Sequence, residues 1–190
     1  MSVEQPTAMF VAALRTEADR MASLPVDRFD VTVPTCPAWD LGDLLVHTGW
    51  VHRLWSHLLC LPEGEPLTPE SRVAAGMPTS IFTKQRPDGD LVPWFRAGVE
   101  DFVRAVESTA PTKRVNSPFG VHQPSFFARR TAHETAIHRW DAENSLGSAA
   151  GFQPMFAADG IEEFLDVFVP MSFDYQRFAS EGATLELRAP

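Results

Sequence analysis

Between residues 6 and 24 the apolar side chains Phe10, Val11, Leu14, Ala18 and Met21 recur at helical spacing with charges between them, which predicts an amphipathic first helix stopped by Pro25. The stretch that follows, "VDRFDVTVPTCPAW", alternates weakly and holds two prolines, so it reads as an extended connection. Asp40 stands where an N-cap is needed. From Leu41 to about Leu59, "LGDLLVHTGWVHRLWSHLL" is the most hydrophobic helix of the chain, with Gly42 and Gly49 small enough for a neighbour to approach closely. Residues 61–90 scatter Pro62, Pro66, Pro69, Pro78 and Pro87 among glycines and charges. This is a long crossover, as required by a bundle whose second and third helices run the same way. Helical spacing returns over 91–109, where Trp94, Phe95, Val99, Phe102, Val103 and Val106 share a face. After the loop "APTKRVNSPFGVHQP", Ser125 is the expected cap of a fourth helix that runs to about Leu146 and stops at Gly147. Residues 154–179 read as further helix, with a break at Pro170.

The pattern predicts an all-α four-helix bundle with a long crossover between its second and third helices. The expected organisation is one domain over 1–180 and a short C-terminal extension over 181–190. In that extension "ATLELR" (183–188) alternates like a strand. It either pairs with an extended segment such as 29–33 or begins a second domain. There is no internal repeat.

Composition narrows the classes of function. The 190 residues are 44% hydrophobic and include 14 Phe and 5 Trp, enough for a substantial single core. A net charge of −9 argues against nucleic acid or an anionic membrane as partner, since both select clustered Lys and Arg. No apolar run approaches bilayer length, and the N-terminus has acids where a secretory signal carries bases; the expected location is the cytoplasm. Two cysteines, Cys36 and Cys60, fit a reducing compartment and exclude a disulfide framework.

Candidate chemistry sits in "HETAIH", residues 133–138, which has one residue too many for the zinc-protease pattern H-E-x-x-H. His133 and His138, five apart, point roughly 140° from each other on a helix. Glu134 and His138, four apart, stack on one side. In a metal site the spacing would make Glu134 and His138 the ligand pair and turn His133 away; the competing reading of the two is a solvated i,i+4 pair. A third ligand is sought on the second helix, where His47, His52 and His57 recur at intervals of five. The mean hydrophobic direction of that helix lies near Leu44, Val51 and Leu58. His47 is roughly 60° from it, His52 roughly 80° and His57 roughly 140°. His47 is favoured, His52 is the reserve and His57 is read as solvated. The competing reading makes His47 an ordinary inward histidine bonded to a neighbour.

The segments "TCPAWDLGDLLVHTGWVHR" (35–53) and "TAHETAIHRWDAE" (131–143) resemble the mycothiol-dependent maleylpyruvate isomerase family, whose metal-binding domain is a DinB-like helical bundle. The resemblance extends more loosely over residues 6–180. It implies a divalent metal, zinc above all, held by His47, Glu134 and His138. It also implies mycothiol as the activated thiol and a small electrophilic partner, with isomerisation or thiol transfer as the reaction. The family isomerase has a C-terminal domain that contributes a substrate-binding arginine, and the sequence ends where that domain is expected to begin, so maleylpyruvate itself stays one substrate among others. A metal-dependent hydrolase and a non-catalytic metal-binding module are the alternatives. Asp141, three residues after His138, either orients that imidazole or is a surface carboxylate. Arg139 and Trp140 point away and read as a surface ion pair and packing. Cys36, flanked by Pro37, reads as a buried residue at the helix entry, Cys60 has no assigned role, and His122 and His133 read as structural or surface residues.

Overall fold

A computed structural model describes residues 6–171 together with positions 182, 184 and 186. They divide into two compact units between Phe152 and Gln153. The chain is mostly helical, as the hydrophobic periodicity predicts, and among the described residues no helix is long and apolar enough to cross a membrane.

Four helices build the first unit: α1 (Thr7–Met21), α2 (Leu41–Cys60), α4 (Leu91–Ser108) and α5 (Pro124–Ser145). Their directions follow from side-chain pairings. Gly49 meets Trp94 and Arg53 meets Gly98, so α2 and α4 run parallel. Phe10 meets His133 and Arg20 meets Glu143, so α1 and α5 run parallel. Arg15 pairs with Glu100 and Asp19 with Arg96, which makes α1 antiparallel to α4. The crossover over 61–90 is the consequence of the parallel α2 and α4. It contains a short helix that periodicity did not reveal, α3 (Pro69–Ala74), made by a capping box in which Thr68 and Ser71 each bond the other's backbone N–H.

Every apolar residue assigned to the inner face of α1 is buried. Leu44, Val51 and Leu58 of α2 and Phe95 and Phe102 of α4 are buried as well, each such side chain stabilising the fold by about 1.5–3 kcal/mol. Asp40 caps α2 by accepting from Asp43 N–H at 2.7 Å, while the Asp43 carboxylate accepts from Asp40 N–H. The cap expected at Ser125 is not used. The helix begins one residue earlier on Pro124, whose missing N–H costs nothing at a first helical position. Its end is as expected: Gly147 has φ +70°, and the bonds from Ser148 N–H to the Glu143 carbonyl and from Gly147 N–H to the Asn144 carbonyl close a Schellman turn.

Two hairpins lie outside the bundle helices. β1 (Thr32–Val33) pairs with β2 (Cys36–Asp40) inside the predicted extended connection, and it joins α2 through the bonds from Leu41 N–H to Val31 and from Gly42 N–H to Phe29. β3 (Val115–Ser117) pairs with β4 (Gly120–His122) inside the segment read as a loop. Just before it, the Lys113 ammonium donates to the carbonyls of Leu59 and Leu61 at 2.6 Å each, satisfying the C-terminal end of α2.

In the second unit α6 (Pro154–Glu163) passes into a π-helical turn over Phe164–Phe168. The wider turn, closed by Val169 N–H on the Phe164 carbonyl, precedes Pro170, and the helix continues through residue 171. A proline removes one helical bond and crowds the preceding turn, and here the helix widens instead of breaking. Residues 172–179 lie outside the described residues; of the predicted strand 183–188 only positions 184 and 186 are described, and the expected pairing to 29–33 falls outside them.

Candidate metal centre

His47 lies two turns into α2, and Glu134 and His138 lie one turn apart on α5. His52 also reaches Thr135 and Trp55 reaches Phe127, so the two helices cross antiparallel with the predicted faces together. Glu134 Oε1 is 3.3 Å from His47 Nε2 and 3.3 Å from His138 Nε2. One ligand atom from each of the three residues lies within 4.8 Å of the others.

The orientation of the imidazoles distinguishes a ligand site from a packed pair of histidines. His47 Nδ1 donates to the Ile81 carbonyl at 2.9 Å, and His138 Nδ1 donates to Asp141 Oδ2 at 3.0 Å. Each ring thus turns its Nε2 toward Glu134, with its other nitrogen held by an oxygen, as metal-binding histidines do. Tetrahedral zinc with bonds of about 2.0–2.1 Å places neighbouring ligand atoms about 3.3–3.4 Å apart. The observed separations from Glu134 match that edge and lie at the long end of the range for hydrogen bonds. The residues present therefore fit a small divalent cation with N, O and N donors.

Electrostatics concentrates charge at the same point. Burial pushes the Glu134 carboxyl upward, but hydrogen bonds from His138 and His47, with the charges of His138 and Arg130, hold it well below the usual carboxylate range. Burial lowers His138, but Asp141 and Glu134 overcome this and raise it to about 9. Arg130, one turn before Glu134, donates to Oε2 at 3.1 Å and leaves Oε1 facing the histidines.

Residues from outside the paired helices complete the surroundings. Trp39 of β2 packs on the His47 ring at 4.7 Å, and Phe82 of the crossover stacks on it at 5.3 Å. Thr35, in the turn between β1 and β2, donates to Asp141 Oδ1 at 2.7 Å. Sequence spacing could not find Thr35, Ile81, Trp39 or Phe82, because the β1–β2 hairpin and the crossover bring them to the site. Arg130 was in principle visible, four residues before Glu134.

The remaining expectations divide. His52 is fully buried but stands apart from the group, with Nε2 2.9 Å from Thr135 Oγ1 and its ring 5.3 Å from that of Phe95. His57, expected in solvent, is half-buried with its Nε2 shielded, because the flanking Leu58 and Leu59 are buried. His133 is buried edge-on against Phe10, and His122 donates to the Phe119 carbonyl at 2.8 Å while stacking on Phe126. Arg139 is not at the surface: it is completely buried, bonded to Glu17 at 2.6 Å, Glu143 at 2.9 Å and the Ala150 carbonyl at 2.7 Å. Glu17 on α1 supplies the counter-charge that permits this burial. Trp140 is half-buried. Asp141 holds His138, the first of its two readings. Cys60 is exposed, and Cys36 is half-buried with a thiol pushed up by burial and by the charge of Asp141.

The family model described as mycothiol maleylpyruvate isomerase N-terminal domain matches residues 10–143, a span that holds all three grouped side chains. No curated protein and no solved structure matches the chain. The protein belongs to the mycothiol maleylpyruvate isomerase N-terminal domain family.

Proposed function

We propose that the protein is a divalent-metal-dependent enzyme, with zinc at His47, Glu134 and His138, that activates mycothiol as a thiolate for isomerisation of, or transfer to, a small electrophilic substrate. One observation carries the metal reading: both imidazoles spend Nδ1 on an oxygen and direct Nε2 to the same carboxylate oxygen. Family membership supports mycothiol as the thiol.

When bound, such a cation supplies a Lewis acid that lowers the pKa of a thiol into the neutral range. Three protein donors against the four that zinc prefers leave one position for an exogenous ligand, the arrangement of catalytic sites. The chain's own residues would then act around that position. Arg130 fixes Glu134 through Oε2 and adds its charge to the histidine contacts that keep the carboxylate ionised. Trp39 and Phe82 place aromatic surface beside His47, and Phe82 remains 68% exposed, a wall that shields a thiol sulfur from water on one side and presents apolar surface to an electrophile. The two free cysteines suit the reducing, cytoplasmic setting proposed for a thiol cosubstrate.

The test is the metal content of purified protein and of His47→Ala, followed by titration of each with mycothiol. Stoichiometric metal and saturable thiol binding are expected in the wild type, with both lost in the variant. Metal retained in full by His47→Ala removes His47 from the ligand set. Turnover of an ester or amide without added thiol favours the hydrolase instead.

A further inference from the structure

We infer that Thr35 is a positioning residue for the metal site, acting on His138 through Asp141. The inference rests on the metal reading proposed above. An imidazole on a helix is free to rotate about its outer torsion unless its second nitrogen is held. Asp141 supplies that hold through Oδ2, but it stands on the same helix as His138, so its own carboxylate needs fixing. The Thr35 hydroxyl does this by donating to Oδ1 at 2.7 Å. The two oxygens of Asp141 then serve two partners, and the bond of 3.0 Å to His138 Nδ1 has a defined direction.

Thr35 is well placed to act as a fixed point. It lies between Pro34 and Cys36–Pro37, and the prolines restrict the backbone on both sides. The preceding Val33 is fully buried and pairs with Cys36. The hairpin is tied in turn to the first residues of α2, the helix that carries His47, by the bonds from Leu41 and Gly42 to Val31 and Phe29. One small hairpin therefore connects the starting turn of α2 with the His138 ring on α5. His47 receives corresponding support from the Ile81 carbonyl, which no side-chain substitution removes. Thr35 is the side chain through which outer support of the site can be tested cleanly.

The experiment measures zinc dissociation constants, by competition with a chromogenic chelator, for wild type, Thr35→Val, Thr35→Ser, Asp141→Asn and the Thr35→Val/Asp141→Asn double variant. Melting is recorded for each without metal. Outer ligands to metal-binding histidines are worth about 10–100-fold in affinity. Asp141→Asn is expected within that range and Thr35→Val near its lower end, about tenfold weaker than wild type. Thr35→Ser, which restores the hydroxyl, should recover most of the loss. In the Asp141→Asn background Thr35→Val should add almost nothing, because its effect passes through Asp141. Wild-type affinity in Thr35→Val overturns the inference, as does lower metal-free stability with an unchanged dissociation constant. Wild-type protein that binds zinc no better than His47→Ala overturns the metal reading itself and the role of Thr35 with it.

Discussion

His47 and His52 are five residues apart on α2 and both are buried, 3% and 0% exposed, yet their surroundings give them different chemistry. His47 finds a carbonyl on one nitrogen and a carboxylate on the other. His52 finds only the Thr135 hydroxyl, and its Nδ1 has no partner among the described residues. Burial, reinforced by the positive charge of Arg53, pushes His52 down to about 3 despite the opposing pull of Glu134. The sign of the consequence follows from proton uptake. Between pH 6.5 and about 3 the unfolded chain carries a proton on this histidine that the folded chain refuses, so acidification favours unfolding. Native stability should fall by up to about 1.4 kcal/mol for each pH unit below 6.5 on account of this group alone. His52→Gln keeps a polar group near Thr135 without a titrating ring. In urea unfolding from pH 7 to 4, the variant should lose less stability than the wild type, so that any advantage of the wild type shrinks with acidity. A stability difference that stays constant over that range would show that His52 titrates alike in both states.

At the level of the helices, close approach of α2 and α4 depends on a missing side chain. A Cβ built on Gly49 collides with the six-membered ring of Trp94, whose position is fixed on its other contacts by Trp50 at 5.1 Å and the Arg53 guanidinium at 3.9 Å. Alanine gains about 1 kcal/mol of helix propensity over glycine, but overpacking costs typically 1–3 kcal/mol. Because the obstacle is a rigid indole, the second effect should prevail. Gly49→Ala is expected to lower unfolding free energy by about 1–2 kcal/mol in denaturant titration; a variant as stable as wild type would mean that Trp94 moves aside freely. The glycine was legible from its place in an apolar helix, as were the inner faces of α1 and α4, because periodicity reports the division between core and solvent. It fails on α5. There Arg130, Thr131, His133, Thr135, Arg139, Asp141 and Glu143 are all buried, and several of them take partners from other elements: Glu143 pairs with Arg20 and Arg139 with Glu17, both on α1, Asp141 with Thr35 in a turn and Thr135 with His52 on α2. A helical wheel assigns such residues to the surface. What could be read on α5 was the i,i+4 spacing of Glu134 and His138, which depends only on the helix itself. On α2 the offsets of His47 and His52 from the mean hydrophobic direction, roughly 60° and 80°, differ by roughly 20°, a margin that favours His47 and keeps His52 as the reserve. The short elements α3 and both hairpins escaped because caps and turns make them, without a repeating apolar pattern.

Taken whole, the candidate site is a cross-link between the two halves of the bundle. His47 belongs to the parallel pair α2 and α4, while Glu134 and His138 belong to the parallel pair α1 and α5, and the three donors come together only in the folded chain. A cation held there should consequently act on global stability, by mass action on the native state. At a free concentration one hundred times its dissociation constant, zinc should add about 2.7 kcal/mol. For a chain of this length each kcal/mol moves the melting temperature by about 2–4 °C, so the expected rise is roughly 5–10 °C. Binding of zinc by histidines and cysteines of the unfolded chain reduces the effect, which makes this an upper range. Chelator should reverse the shift completely. Glu134→Ala removes the donor shared by both imidazoles and should abolish it, whereas Gly49→Ala, which weakens the bundle at the α2–α4 contact, should melt lower but keep a shift of the same size. The pair of variants separates cross-linking from general stabilisation: an undiminished zinc shift in Glu134→Ala would place the cation elsewhere, and a shift lost in Gly49→Ala alone would tie it to packing instead of ligation.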